Sequence, residues 1–267
     1  MKSDFERAAA FEDSLRDACI ERVVPSRFGT ALLTDTLPRV WSVNLLRVET
    51  ADAEADELIA EAERLLGEAG LNHRRLLITD AELGRRLEDP LTAAGWKTDH
   101  FVFMVSRRDP SRQANIAHVV EVESDALTAL RRTILAEWLP DLEQEAARQI
   151  MEAERRYGQA GRARYFAVVV DGVVVSSTNL YSDGRTAQIE DVATLPQHRG
   201  RGYASAVVLR ALDEARAAGH DFVFLVADAR DWPKELYGRL GFDPVGERFV
   251  YRLTEVTAEQ RPATDAG

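Results

Sequence analysis

Apolar and polar positions recur along the chain with two periods, and they predict a protein of mixed α and β elements. Apolar residues at every third or fourth position indicate amphipathic helices, whereas short apolar or alternating runs indicate strands. Helices are predicted at residues 4–20, 53–69, 81–94, 124–137, 141–157, 204–218 and 233–242. Strands are predicted at residues 40–48, 73–80, 97–108, 221–228 and 249–253, with three more between residues 164 and 195.

Turn residues set several boundaries between these elements. Asp171-Gly172 and Asp183-Gly184 separate the three strands between residues 164 and 195, and Asp-Gly pairs are typical of tight hairpins. Asp141, which is followed three residues later by Gln144, is expected to cap the helix that starts there.

A polar break at Asp109-Pro110-Ser111 divides the chain into two halves. We therefore predict one domain at residues 1–112, a second domain at residues 113–255, and a polar tail at residues 256–267. In both halves a helix ends at a glycine that precedes an aromatic residue and a closing strand. These pairs are Gly95-Trp96 and Gly241-Phe242. We interpret the first half as a degenerate copy of part of the second, with chance similarity as the alternative.

The stretch from Gln188 to Gly219 predicts a strand, a basic glycine-rich loop and a helix. The first amides of a helix have no partners within it, and the helix dipole adds partial positive charge in front of them. Small residues also allow a ligand to approach the backbone, so the loop is predicted to bind a phosphate group. The loop consists of Arg199, Gly200, Arg201, Gly202, Tyr203, Ala204 and Ser205.

Composition and charge disfavour several classes of protein. The chain has 267 residues, of which 45% are hydrophobic and 30% charged, as in ordinary globular proteins. Its net charge of −11 disfavours nucleic acid as a partner, because a phosphate backbone requires a basic surface. No apolar run approaches the ~18 residues of a membrane span, and no signal-peptide pattern is evident. A cytoplasmic protein without a membrane partner is therefore expected.

Metal binding and internal disulfide bonding are not expected. Cys19 is the single cysteine, which excludes a disulfide within the chain and a multi-cysteine metal site. The five histidines are scattered without the spacing of metal ligands, so no metal cofactor is predicted. The sequence does not indicate an oligomeric state.

The glycine loop differs from two well-known nucleotide-binding motifs to different degrees. A Walker-type site is excluded, because G-x-x-x-x-G-K-[ST] occurs nowhere in the chain. Gly200-x-Gly202-x-x-Ser205 nearly matches the dinucleotide-binding fingerprint, which makes an oxidoreductase an alternative. Two features argue against a dinucleotide-binding site. These are the serine at the sixth position and the acidic pair Glu190-Asp191 in the preceding strand. The roughly forty residues after Asp228 are also too few to complete such a sheet.

A third interpretation depends on two segments taken together. Arg199-x-x-Gly202-x-Ala204 lies between a strand and a helix, and it resembles motif A of the GNAT superfamily of N-acetyltransferases, [RQ]-x-x-G-x-[GA]. The element order from about residue 116 to residue 253 is also similar to that of the family. The family's L-Y-x-x-x-G-F segment is matched downstream by Leu236, Tyr237, Gly241 and Phe242.

The resemblance implies a GNAT fold, an α/β (α+β) architecture with a mixed, mostly antiparallel twisted sheet flanked by helices. The two halves together are similar to tandem GNAT proteins. The first half lacks the [RQ]-x-x-G-x-[GA] loop, so it is not expected to bind the cofactor in the same way. The activity implied for the second half is direct transfer of an acetyl or other acyl group from acetyl-CoA to a primary amine.

The resemblance also implies which residues bind acetyl-CoA. The backbone of Val192, Ala193 and Thr194 is expected to hydrogen-bond the pantetheine arm, where the strand splays from its parallel neighbour. The amides from Arg199 to Ser205 are expected to bind the pyrophosphate. The acceptor amine, a small molecule or a peptide, is not indicated by the sequence.

Two residues are implied in the chemistry. Transfer to an amine requires that the amine lose a proton, that an oxyanion be stabilised, and that the leaving thiolate gain a proton. Tyr237 matches the family tyrosine near the thioester sulfur and is expected to be the acid. Glu190 is the candidate base, with a water relay as the alternative, whereas strand alternation directs Asp191 to the opposite face.

Two further interpretations concern the whole function and one helix. The alternative to an enzyme is a regulatory protein that binds acyl-CoA without catalysis. The presence of Tyr237 argues against this alternative. The charge-rich helix at residues 141–157 is interpreted as a solvated face.

Overall fold

The structure is a computed structural model that describes residues 2–111 and 113–254. The chain forms two compact units, and each unit is assembled from two stretches of sequence. Among the described residues, the first unit consists of the chain up to Ala18 and of Val102–Gly246, and the second consists of Cys19–Phe101 and residues 247–254.

This division differs from the predicted boundary after residue 112. The first helix of the chain belongs to the unit that contains the glycine loop, and the closing strand is shared between the two units. The predicted polar tail at residues 256–267 lies outside the described residues.

The described residues form both α-helices and β-strands, as the periodicity predicts. The helices are α1 (Asp4–Asp17), α2 (Ala55–Glu68), α3 (Ala81–Ala93), α4 (Thr128–Trp138), α5 (Gln144–Ala160), α6 (Tyr203–Ala217) and α7 (Pro233–Arg239). The strands are β1 (Arg22–Ser26), β2 (Gly29–Leu33), β3 (Leu45–Val48), β4 (His73–Ile78), β5 (Lys97–Ser106), β6 (Val119–Val122), β7 (Arg164–Val170), β8 (Val173–Ser182), β9 (Thr186–Thr194), β10 (Phe222–Asp228) and β11 (Phe242–Thr254). No described helix combines the length and the apolar character that a membrane crossing requires.

The sheet of the first unit is mixed and mostly antiparallel. Across this sheet the strand order is the end of β5, then β10, β9, β8, β7 and β6. The pairs β6–β7, β7–β8 and β8–β9 are antiparallel, whereas β10 is parallel to β9. The hairpins predicted at Asp171-Gly172 and Asp183-Gly184 are confirmed, since they connect β7 to β8 and β8 to β9.

Helices cover both faces of this sheet. On one face Leu130 of α4 and Val208 of α6 are buried with Ile189 of β9. On the other face Phe11 of α1 contacts Phe224 of β10 edge-on, with ring centroids 5.7 Å apart. Full burial of one such side chain contributes roughly 2 kcal/mol, so this contact stabilises α1 against the sheet of the first unit.

The second unit repeats part of this element order. The order α2, β4, α3, β5 corresponds to α6, β10, α7, β11, so the predicted internal repetition is present in the fold. Its strands β1, β2 and β3 form an antiparallel meander, β3 is parallel to β4, and β4 is antiparallel to β11. Gly84 of α3 packs so closely on β11 that an added Cβ would lie 2.3 Å from the Phe249 ring.

Two local features differ from the sequence predictions. Asp141 does not cap α5, because the helix begins at Gln144 and its cap position is occupied by Glu143, whose side chain makes no capping hydrogen bond. The hairpin of β1 and β2 was not predicted. Its first strand is exposed and contains Pro25, which obscures the alternation that normally indicates a strand.

Candidate functional site

β9 and β10 begin as paired parallel strands and then separate. Their pairing ends at Ile189 and Leu225, whereas β9 continues to Thr194 and β10 to Asp228. The splayed strand implied by the family resemblance is therefore present. Residues 192–194 of β9, which lie beyond the paired part, line a pocket.

A bulge in β9 lies where the two strands separate. The register of β9 against β8 shifts between Ser177 and Asn179. Asp191 has a φ of 53°, a left-handed conformation that few non-glycine residues adopt. The Thr178 hydroxyl donates a hydrogen bond to the Glu190 carbonyl at 2.8 Å, which satisfies a backbone acceptor next to the bulge.

The bulge also changes the direction of the Asp191 side chain. Asn179 is the register partner of Glu190, so these two side chains share one face of the sheet. Asn179 Nδ2 donates to Asp191 Oδ2 at 2.6 Å. Asp191 therefore lies beside Glu190, and the expectation that it points to the opposite face is wrong.

The glycine loop ends in the first turn of α6. Gly200 and Gly202 have φ values of 76° and 82°, which glycine adopts without steric strain. Gly202 is the N-cap residue, and no side chain caps the helix. A Cβ added at either glycine would meet no described atom within 4 Å, so the space in front of the loop is open. The first amides of α6 are thus available to an anionic ligand.

The loop, the splayed strand and α7 enclose one pocket of about 470 Å³. This volume is in the range of ligand sites. Tyr237 and all but one of the predicted cofactor-binding residues line the pocket. The lining cofactor-binding residues are Val192, Ala193, Thr194, Arg199, Gly200, Gly202, Tyr203, Ala204 and Ser205.

The two arginines of the loop occupy different positions. Arg199 Nη1 and Nη2 donate to the two carboxylate oxygens of Glu137 at 2.8 and 2.7 Å, and Arg199 Nε donates to the Thr194 carbonyl at 3.2 Å. Arg201 lies outside the pocket lining, and its Nη2 donates to the Gln197 carbonyl at 3.4 Å. Arg199 therefore connects the loop to α4, and its charge is paired with a carboxylate.

Tyr237 is buried in the pocket wall on α7, with 8% of the residue exposed. Burial, together with the nearby negative charge of Glu190, raises the pKa of the Tyr237 hydroxyl above its ordinary value. The hydroxyl consequently keeps its proton at neutral pH, as a general acid must.

Glu190 lies next to this pocket but is not part of its lining. Gln188 Nε2 donates to Glu190 Oε2 at 2.7 Å. Burial, and then the charges of Asp191 and Glu12, raise the pKa of Glu190 to about 8. A carboxyl group with a pKa of about 8 binds a proton more tightly than an ordinary carboxylate does, and it is deprotonated in large part only at about pH 8 and above, where it can act as a base.

Glu154 is a titratable residue near Asp191 that the sequence analysis did not single out. It lies on α5, and burial followed by the charge of Asp191 raises the pKa of its carboxyl group to about 7. The interpretation of this helix as a solvated face is therefore wrong for the turn that contains Glu154. Glutamates are frequent along α5, so nothing in the sequence distinguished this one.

Several residues that were not predicted as site residues also line the pocket, among them Glu137, Trp138 and Trp232. Glu137 pairs with Arg199, as described above. Trp138 and Trp232 are 67% and 60% exposed, and both line the pocket. The described residues contain no group of three or more His, Cys, Asp or Glu side chains placed to hold a metal ion.

Comparison with known proteins identifies a family for much of the first unit. The model of the Acetyltransferase (GNAT) family matches residues 127–242. A curated relative, the uncharacterized N-acetyltransferase CgeE of Bacillus subtilis (strain 168), is 37% identical over 73 residues. That alignment covers 26% of this chain and 28% of the relative, so the chain spans less than a third of the relative's length.

Solved structures resemble the chain over most of its length. A GCN5-related N-acetyltransferase from Kribbella flavida is 16% identical with a TM-score of 0.61, and the match covers 97% of this chain and 98% of that one. A tandem GNAT protein from the clavulanic acid biosynthesis pathway is 16% identical with a TM-score of 0.54, covering 88% and 82%. At these identities the likeness concerns the fold, and it confirms the predicted tandem GNAT fold.

Proposed function

We propose, on the premise that residues 127–242 match the model of the acetyltransferase (GNAT) family, that the chain is an N-acetyltransferase. It moves an acetyl group from acetyl-CoA directly to a primary amine. The observation that supports this most is a single pocket shared by three features. These are the uncapped start of α6, the splayed part of β9 and the buried hydroxyl of Tyr237.

The pocket fits acetyl-CoA in two respects. The open space before Gly200 and Gly202 and the first amides of α6 suit a pyrophosphate. Residues 192–194 have left the parallel ladder, so their backbone groups are suited to an amide-rich arm that binds like an added strand. Acetyl-CoA supplies the activated acetyl group as a thioester.

The chain's own residues then handle two protons. Glu190 accepts the proton of the acceptor amine, directly or through one water, as a carbon–nitrogen bond forms. Tyr237 donates its proton to the sulfur as the carbon–sulfur bond breaks. The two groups influence each other, since the charge of Glu190 contributes to the raised pKa of Tyr237.

Ligand titration tests the cofactor assignment. We expect acetyl-CoA to raise the thermal midpoint of the protein, because a ligand that binds only the folded state stabilises it. NAD(P)H is the matched comparison, since the loop also resembles a dinucleotide fingerprint. Stabilisation by NAD(P)H and not by acetyl-CoA would refute the assignment. Stabilisation by acetyl-CoA without turnover of any amine would favour the non-catalytic binding protein.

A further inference from the structure

Carboxyl groups cluster on the sheet face opposite α6, next to the pocket that contains Tyr237. Glu190 and Asp191 belong to β9, and Glu154 belongs to α5. Glu12 of α1 is near enough to raise the pKa of Glu190. Asp191 is exposed and the Glu154 side chain is 30% exposed, so a solute can reach the cluster.

The cluster contains buried hydrogen-bond acceptors that lack donors. Gln188 is only 2% exposed, and its Nε2 donates to Glu190. Its Oε1 is buried and has no hydrogen-bond partner in the described part of the chain. The same holds for Oε2 of Glu154, whose nearest cation is Arg131 Nε at 3.4 Å. A buried acceptor without a donor is costly, so the Gln188 oxygen indicates a missing donor group, whereas Glu154 Oε2 has only the long ion pair with Arg131.

The cations near the cluster do not balance its carboxyl groups. Arg131 also donates to Ser124 Oγ at 3.1 Å and to Asn179 Oδ1 at 3.3 Å, so its guanidinium is divided among three partners. Arg16 pairs with Glu12 and with Asp13, at 3.4 and 2.6 Å. Full ionisation of Glu154, Glu190 and Asp191 would therefore leave excess negative charge.

We propose that this cluster binds a second ammonium group of the acceptor, so that the preferred substrate is a diamine or a larger polyamine. The inference rests on the proposed N-acetyltransferase function. An ammonium group supplies three N–H donors and one positive charge, which are what the unpaired oxygens and the excess carboxylates require. Glu190 connects the two sites, because it belongs to the cluster and also acts on Tyr237.

Matched amines test the proposal. Release of free CoA is measured with butane-1,4-diamine and with butan-1-amine, which lacks the second charge. We expect kcat/KM to be at least tenfold higher for the diamine, mainly through a lower KM. Raising NaCl from 50 to 500 mM should reduce this ratio, because salt screens the second charge.

Glu154→Gln is the informative variant. It removes the charge with almost no change in shape, and we expect it to lower kcat/KM for the diamine at least tenfold more than for butan-1-amine. Glu145→Gln is the control, since Glu145 lies on the same helix and pairs with Arg148 on the exposed surface. Equal effects of Glu154→Gln on the two amines would overturn the inference, as would equal kcat/KM values in the wild type.

The test separates this inference from the proposed function. If no amine releases CoA, the proposed function fails, and calorimetric binding of the diamine to the CoA-saturated protein replaces turnover as the readout. Binding that Glu154→Gln weakens tenfold or more would still support a site for a diammonium ligand. Absence of binding, or equal binding of the two amines, would contradict it. Thermal melts of both variants verify that they are folded.

Discussion

Burial acts on two residues of the site in the same direction and suits them to opposite tasks. It raises the pKa of the Tyr237 hydroxyl, which keeps a proton available to a leaving group. It raises the pKa of the Glu190 carboxyl to about 8. This carboxylate therefore holds a proton taken from an amine more tightly than an ordinary glutamate would. Packing therefore gives Tyr237 the protonation state that an acid requires, and it makes Glu190 a stronger base that is deprotonated mainly at about pH 8 and above.

Replacing Tyr237 by phenylalanine removes the proposed acid and little else. The ring remains to pack in the pocket wall, so we expect the Kd for acetyl-CoA to change less than twofold. We expect kcat to fall by about 10² or more, the usual contribution of a general acid. Steady-state assays of CoA release measure kcat, and calorimetry measures the Kd for acetyl-CoA. Full turnover by the variant at every pH would disprove the acid assignment.

The pH profile reports on Glu190. A base acts only when deprotonated, so Glu190 should contribute a fall of about tenfold in kcat/KM per pH unit below about 8, in addition to the fall caused by protonation of the amine itself. Glu12→Gln removes one of the charges that raise the pKa of Glu190, so the profile should shift to lower pH. The amine substrate titrates equally with both proteins, so the difference between the two pH profiles reports only on groups of the enzyme. An unchanged profile would indicate that another group is the base.

The residues of the site were predictable to different degrees. Tyr237 and Gly202 stand in short motifs whose spacing is visible in the sequence. The position of Asp191 was not predictable, because strand alternation fails at a bulge and nothing in the sequence marks a φ of 53° at that residue. Glu154 was missed because its role depends on burial, which depends in turn on how α5 packs.

Among the elements, the loop and the first turn of α6 are the clearest predictor of ligand binding. The conformation of Gly202 aligns the amides that follow it, and alanine in that left-handed conformation is strained by about 1 kcal/mol. Gly219 provides a matched control beyond the other end of α6. It has a φ of 84° and also has no described atom within 4 Å of an added Cβ.

We therefore expect Gly202→Ala and Gly219→Ala to lose similar stability, about 1 kcal/mol each in denaturant titrations. Gly202→Ala alone should weaken acetyl-CoA binding, by about tenfold or more, because relief of the strain turns the amides away from the ligand. Calorimetry measures the affinities. Equal affinities in the two variants would show that the start of α6 does not bind the cofactor.

The assignment of elements to units was harder to predict than the elements themselves. The amphipathic pattern of α1 is plain in the sequence, but it does not say which core receives Phe5 and Phe11. In the structure both contact aromatic residues of the first unit, Phe103 and Phe224. Each unit contains two separate stretches of the chain, so no single boundary in the sequence can divide the units. Only contacts between residues far apart in the sequence reveal this arrangement.

For the whole molecule, the repeated element order predicts two similar folds but one cofactor site. The second unit has the order α2, β4, α3, β5 without the [RQ]-x-x-G-x-[GA] loop. We expect calorimetric titration with acetyl-CoA to give one site per chain, and Gly202→Ala to weaken that site. Two sites of comparable affinity would show that the second unit binds cofactor by different means.

Amine-dependent release of CoA from acetyl-CoA is the most direct test of the central claim, which is catalysis by the pocket of residues 192–237. The assay uses the full chain at pH 8 with mono- and diamines, and compares wild type with Tyr237→Phe. The account predicts release that requires an amine, saturates with it, and falls by about 10² or more in the variant. Acetyl-CoA binding without amine-dependent release, or equal release by the two proteins, would contradict it.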